Sequence, residues 1–315
     1  MKKTSDTKSS TPAEPQSAYH IPVLYNETLE GLQIKPDGVY VDCTFGGGGH
    51  SKGILAQLNP AGRLIAFDQD ADARQNIPAD DRVLFVPHNF RHIGRFLRLH
   101  KIDKVNGVLA DLGVSSHQFD EGERGFSIRF EGPLDMRMDQ RQEHTAADIL
   151  LTYTEQQLHK MFEQYGEVTN SKTLAKHIVQ LRSQSSVKTI SAFRALLAPV
   201  VKGNPHKYLA QVFQALRMEV NEEMSSLKEM LQQIPALLET GGRIAVITFH
   251  SIEDRLVKNF FKEGSFDEVA DNPFLMVEKN NPLQIITRKP ILAGAEELKQ
   301  NTRSRSAKLR IAEKR

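Results

Sequence analysis

The stretch 40-YVDCTFGGGGHS-51 decides the fold. Residues 39–45 form a run that reads as a buried strand, and it breaks directly into Gly46, Gly47, Gly48 and Gly49 before His50 and Ser51. In an open α/β sheet the ligand lies beyond the carboxyl ends of the strands, where a glycine-rich turn lets a molecule approach the backbone and a helix begins. Working outward, strand character recurs at 63–68 (RLIAFD), 82–87 (RVLFVP) and 107–111 (GVLAD), mostly across gaps long enough for a helix. Asp68 ends the second run, where an acid commonly takes the hydroxyls of a ribose. Asp111 ends the fourth, at the same edge of the sheet. The order of strand, glycines, helix and strand-end acid points to a nucleoside-containing cofactor.

Three cofactor classes compete for that loop. A triphosphate loop requires lysine after the glycines, and here Gly49 is followed by His50 and Ser51. A dinucleotide fingerprint requires G-x-G-x-x-G. Starting it at Gly46 puts Ser51 in the last glycine's place, starting at Gly47 puts Lys52 there, and starting at Gly48 puts His50 in the second. S-adenosylmethionine carries no phosphate and needs only close backbone approach, a ribose acceptor and a place for adenine. A nicotinamide dinucleotide stays as the lesser alternative. His50 has two readings, a contact to the methionine end of such a cofactor or a helix-entry residue bonded within its own turn.

Beyond Gly113 the strand rhythm stops. Apolar residues spaced three or four apart in 146–162 and 209–220 read as helical, and 222–238 has the spacing of a long helix with Gly241 and Gly242 as its stop. Strands return at 243–248 (RIAVIT), with further ones expected at 274–278 and 308–311. The expected organisation is one α/β sheet domain, residues 19–118 and 215–315, interrupted by a mainly helical insertion, 119–214. Residues 1–18 lack the apolar core of a signal peptide and read as a disordered tail, and no run of about 18 apolar residues occurs, so a cytoplasmic protein is expected.

With 25% charged residues and a formal net charge of +2, overall balance implies no particular partner, but its distribution does. From Val168 to Arg217 there is no Asp or Glu, against Lys172, Lys176, Arg182, Lys188, Arg194, Lys202, Lys207 and Arg217. Arg303, Arg305, Lys308 and Arg310 add a second basic run. Both are expected to face RNA phosphates.

Eight ordered motifs carry a resemblance: HIPVL from His20, TFGGGGHS from Thr44, ADLGVSS from Ala110, ERGFS from Glu123, GPLDMRMD from Gly132, FQALR from Phe213, TFHSIEDR from Thr248 and RSRSAK from Arg303. From about residue 20 onward the chain resembles the bacterial ribosomal RNA small-subunit methyltransferase H family, also called MraW. The resemblance implies a Rossmann-like class I methyltransferase that uses S-adenosylmethionine to methylate the exocyclic N4 amine of one cytidine in 16S rRNA near the decoding centre, with the insertion helping to recognise substrate. It implies cofactor contacts from Gly48, Gly49 and His50, from Asp68 on the ribose, from Phe90 by the adenine, and from Asp111 and Gln118 near the methionine end. His117 stands where the family usually has proline.

The chemistry agrees. Methyl transfer from a sulfonium is an in-line displacement, gained by aligning amine and methyl and excluding water, with no need of a metal. Carbon-5 methylation of a pyrimidine needs a nucleophilic cysteine, and the only one, Cys43, sits inside the first predicted strand. Nitrogen or oxygen is the better acceptor. Asp111 and His250 are the candidate catalytic groups. His250 has a structural alternative, preceding a helix that starts at Ser251-Ile-Glu-Asp254. Leu134, Met136 and Met138 alternate with Asp135, Arg137 and Asp139, as expected of an extended segment shaping the substrate entrance. The partner is 16S rRNA or the small ribosomal subunit, the protein a monomer or homodimer. Rival functions are a nicotinamide-dependent oxidoreductase and a non-catalytic RNA-binding assembly factor.

Overall fold

The computed structural model describes residues 22–266 and 281–315. Seven strands, β1 (Val39–Asp42), β2 (Arg63–Phe67), β3 (Val83–Val86), β4 (Val105–Asp111), β5 (Leu238–Thr248), β6 (Leu283–Ile285) and β7 (Lys308–Lys314), form one sheet in the order β3-β2-β1-β4-β5-β7-β6. β1 to β5 are mutually parallel, while β7 runs antiparallel between β5 and β6. Successive residues bury on opposite faces. Val41, Ile65 and Val108 join Leu227, Leu231 and Phe260 on one side, and Tyr40, Leu64 and Leu109 join Leu29 and Ile54 on the other. Because both faces are covered, the strands read in sequence as unbroken apolar runs. The strand order reverses between β1 and β4, the switch point at whose carboxyl ends open α/β sheets bind their ligands. An antiparallel strand inside this edge departs from the 3-2-1-4-5-6 order of dinucleotide-binding sheets, which weakens the nicotinamide alternative.

Two sequence expectations change. Gly241 and Gly242 do not stop a helix. The helix Glu223–Leu237 runs straight into β5, and the two glycines lie in an irregular stretch of that strand between the pairings Val105 with Leu238 and Gly107 with Arg243. A Cβ on Gly242 would sit 2.9 Å from the carbonyl of Glu239 and 3.0 Å from that of Asn106, so the bulge is a close backbone approach. The apolar spacing over 146–162 belongs to two helices, Ala146–Thr152 and Glu155–Gln164. Thr145 with Asp148 and Thr154 with Gln157 form capping boxes at their starts, and the second box breaks the run. The strand expected at 274–278 lies outside the described residues. β6 went unread because three residues at a sheet edge leave no period to detect.

The helical part builds a core of its own. Leu134, Leu150, Phe162, Ile178, Phe193 and Leu216 are among its buried members, separate from both faces of the sheet. The helix Pro205–Val220 crosses the expected boundary at 214 unbroken, and its Ala215, Leu216 and Val220 pack in this second core.

β7 is bound to the sheet's helical cover by charge as well as by its ladder. Arg310, almost fully buried, donates through Nε and Nη2 to Asp254 on the helix Ser251–Glu263 at 2.6 and 3.1 Å. Removing one partner of a buried pair strands the other charge. Asp254→Ala is therefore expected to lower unfolding free energy by about 3 to 5 kcal/mol, read as a lower urea midpoint at unchanged slope.

Candidate active site

The glycine loop is shaped by three different demands. Gly48 takes a left-handed conformation, φ 73°, as the residue before the helix Gly49–Gln57, and a Cβ on Gly49 would fall inside Pro22. At Gly47 neither constraint applies, since an added Cβ would meet no atom within 4 Å and φ lies outside the left-handed region. Its missing side chain leaves open a space that the protein does not fill itself. The buried Asp42 carboxylate supports the loop from below, accepting from Thr44 N–H at 3.0 Å and from Ser51 Oγ at 2.7 Å.

Asp68, half-buried after β2, accepts from Gly46 N–H at 2.7 Å and from Asp70 N–H at 2.8 Å. Burial lifts its pKa to about 6 against the lowering effect of those two bonds. Each of its oxygens retains capacity for a further donor, as a ribose diol requires. Asn89 and Phe90 follow β3, and Asn89 Nδ2 donates to Gln69 Oε1 at 2.8 Å, which ties this turn to the residue after Asp68.

Asp111 closes β4 at the same edge. Its Oδ1 is buried without a hydrogen-bond partner, although 25% of its side chain remains exposed. Burial pushes this carboxyl well above the usual range, with the charges of Asp42 and Glu253 adding to the effect. An unpartnered buried acceptor of this kind fits a cationic ligand group such as an ammonium, which would favour its ionised form. His50 stands behind it. His50 Nε2 lies 3.1 Å from the Val23 carbonyl, which can only accept, so Nε2 bears the proton and the bare Nδ1 faces Asp111 Oδ2 at 3.7 Å. Burial lowers the His50 pKa to about 4, and its ring stacks on Tyr25. The structure thus gives His50 a seat inside the wall, neutral and touching Asp111.

Gln118 is engaged at both ends of its amide. Oε1 accepts from Ser115 N–H in a capping box and Nε2 donates to the buried Asp70 at 2.6 Å. Arg124 donates to the same carboxylate at 2.8 Å and to Asp72 at 2.8 Å. Of this cluster the sequence reading named Gln118, as a contact near the methionine end of the cofactor, and passed over Asp70, whose signal was an acid two residues after the strand-end acid.

On the other side of Asp111, the Phe249 ring lies 3.6 Å from where a Gly113 Cβ would be, and His250 follows. His250, rather than Ser251, caps the next helix, its Nδ1 accepting from Glu253 N–H at 3.4 Å. Its Nε2 lies 3.1 Å from Glu253 Oε1 without the alignment of a hydrogen bond. Glu253 is itself buried and accepts from Phe249 N–H at 2.9 Å. Glu223, His250 and Glu253 bring ligand atoms within 4.8 Å of one another, and Arg217 supplies the positive charge there, donating twice to Glu223 at 2.7 and 2.8 Å.

The basic residues divide. Lys172 and Lys176 project from the exposed face of the helix Ser171–Leu181, and Arg305 is exposed. Arg182 instead donates to the carbonyls of Leu150 and Tyr153 at 3.0 and 2.6 Å, closing the end of a helix, and Arg303 pairs with Asp120 at 3.0 Å. For those two the structural contact explains the charge.

Comparison with known proteins agrees with this construction. Residues 17–315 match the model of the MraW methylase family. A protein of Azobacteroides pseudotrichonymphae named ribosomal RNA small subunit methyltransferase H is 54% identical over 94% of this chain and 97% of its own. Proteins of the same name from Parabacteroides distasonis and Flavobacterium johnsoniae are 52% and 50% identical, covering 96% and 94% of this chain and 99% and 98% of theirs. A glycine loop, two strand-end acids and matches of this extent have one meaning: the chain belongs to the MraW methylase family.

Proposed function

We propose that this protein transfers the methyl group of S-adenosylmethionine to the exocyclic N4 amine of one cytidine in the 16S rRNA of the small ribosomal subunit, near the decoding centre. The observation that carries the reading is the unpartnered buried Oδ1 of Asp111 beside a glycine loop with open space at Gly47. The residues present fit the cofactor: Gly47 and its neighbours for close approach, Asp68 for the ribose, Phe90 for the adenine, Asp111 for the ammonium. When bound, the cofactor supplies an electrophilic methyl on a cationic sulfur. The protein's part is to aim an amine at it and to keep water out. Cys43 is sealed in the core below β1, with burial pushing its thiol pKa well up, so it cannot serve as the nucleophile of carbon methylation. The nitrogen acceptor approaches between Asp111, Phe249 and His250. A cytidine in folded RNA reaches that depth only when turned out of its stack. The helical insertion, residues 119–214, supplies the RNA-facing surface.

The direct test is transfer of labelled methyl from S-adenosylmethionine to small subunits or 16S rRNA from a strain lacking the protein, with mass analysis of the product nucleoside. Label on any base other than cytidine would sink the assignment. Gly47→Ala is the matched control. It should leave the melting temperature unchanged, since nothing stands within 4 Å of the new methyl group, yet weaken cofactor binding by at least about tenfold through loss of close approach.

His250→Asn separates capping from chemistry, because asparagine is itself a strong helix cap. Thermal stability should stay close to that of the parent while the single-turnover methyl transfer rate falls by about 10²-fold, the lower range for a positioned acid–base group. An unchanged rate would reduce His250 to a helix cap.

Lys172→Glu with Lys176→Glu should weaken binding to 16S rRNA and flatten its dependence on salt by roughly one logarithmic unit per lost phosphate contact. Unchanged RNA affinity would remove this face from the footprint.

A further inference from the structure

We infer that residues 134–139 of the helical insertion roof the adenosine half of the cofactor, with Met138 as the wall side chain and Asn221 and Arg124 as the residues that position it. The inference rests on the proposed cofactor and concerns a segment whose sequence suggested a substrate entrance. Leu134, Met136 and Met138 are indeed buried, but the charged residues between them are folded back. Arg137 pairs with Asp135 at 2.8 Å and Arg141 with Asp139 at 2.7 Å.

Each outward contact of the Met138 end runs to the adenosine side of the sheet. Gln69 Nε2, next to the ribose acid Asp68, donates to Met138 Sδ at 3.3 Å, and the same Gln69 accepts from Asn89, the neighbour of Phe90. Arg141 Nη2 donates to the carbonyl of Pro87, just past β3. Asp111, at the end of β4, and Phe249 and His250, after β5, belong to strands on the other side of β1 from β2 and β3. A thioether is apolar and polarisable, suited to the edge or face of an aromatic base.

The segment is held in a shape it would not adopt alone. Met136 is a buried non-glycine residue at φ 64°, which persists only where its surroundings over-determine it. Those surroundings are two buried side chains. Asn221 accepts from Met138 N–H at 2.7 Å and donates to the carbonyls of Met136 and Arg217 at 2.8 and 2.9 Å, doing for this segment what a neighbouring strand would do. Arg124 donates to the carbonyls of Arg137 and Met138 at 3.1 and 3.2 Å while bound to Asp70, and its own carbonyl accepts from Met136 N–H at 3.0 Å. The roof is thereby fixed to the residue that donates its N–H to Asp68.

Two probes locate the contact: S-adenosylhomocysteine, and 5′-methylthioadenosine, which lacks the amino-acid end. By calorimetric titration Met138→Ala should weaken both by the same factor, about tenfold, the order expected for one lost sulfur–aromatic contact and its buried area. Met138→Leu, which restores volume, should recover most of it. Asn221→Ala should also weaken both probes, whereas Ile178→Ala, which opens the same helical core away from the segment, should weaken neither. Undiminished binding in Met138→Ala, a loss confined to S-adenosylhomocysteine, or an equal loss in Ile178→Ala would each overturn the inference. Wild-type protein that bound neither probe would instead sink the cofactor reading itself.

Discussion

The hydrogen bond from Gly46 N–H to the Asp68 carboxylate ties the end of one strand to the loop that follows its neighbour. Parallel strands deliver their carboxyl ends to a common edge but leave the connecting loops to find their own conformations. Here one acid sets the glycine loop, and the next acid along, Asp70, anchors Gln118 and Arg124 from the chain that leaves β4. Two carboxylates two residues apart therefore organise the glycine loop and the approach of the insertion together. Burial makes this arrangement sensitive. The same desolvation that lifts the Asp68 pKa strengthens each hydrogen bond it accepts.

Asp111 and His50 show a different use of burial. Burial moves their pKa values in opposite directions, Asp111 up and His50 down, so desolvation works against an ion pair between them. Such a pair has little to lose when a cationic ligand arrives and much to gain. Glu253 lies on the opposite side of the crevice, where Arg217 and His250 hold its pKa down although burial alone would raise it. Burial and neighbouring charge thus shift the two acids in opposite directions, Asp111 up and Glu253 down.

The sheet was legible from sequence because strands covered on both faces keep continuous apolar runs, and RLIAFD and RIAVIT admit no other reading. Asp68 and Asp111 were legible because they end such runs. What escaped were contacts that depend on residues distant in sequence. Nothing near His50 announces that the Val23 carbonyl fixes its tautomer and turns it inward. The internal partners of Arg182 and Arg303 escaped because a sequence shows charge and not the carbonyls of Leu150 and Tyr153 or the carboxylate of Asp120 that meet it. Gly241 and Gly242 were misread because a glycine pair serves equally as a helix stop or as a bulge, and only the register with β4 distinguishes them.

β4 and β5 lie side by side although the whole helical insertion separates Asp111 from Leu238 in the chain. Closing a flexible loop of that length before any local structure exists is entropically slow, and contacts of high sequence separation delay folding. An insertion with a core of its own shortens the effective loop to the gap between its two ends. Condensation of the helices on that core would bring β4 and β5 together, so the insertion serves the closing of the sheet as well as its own packing.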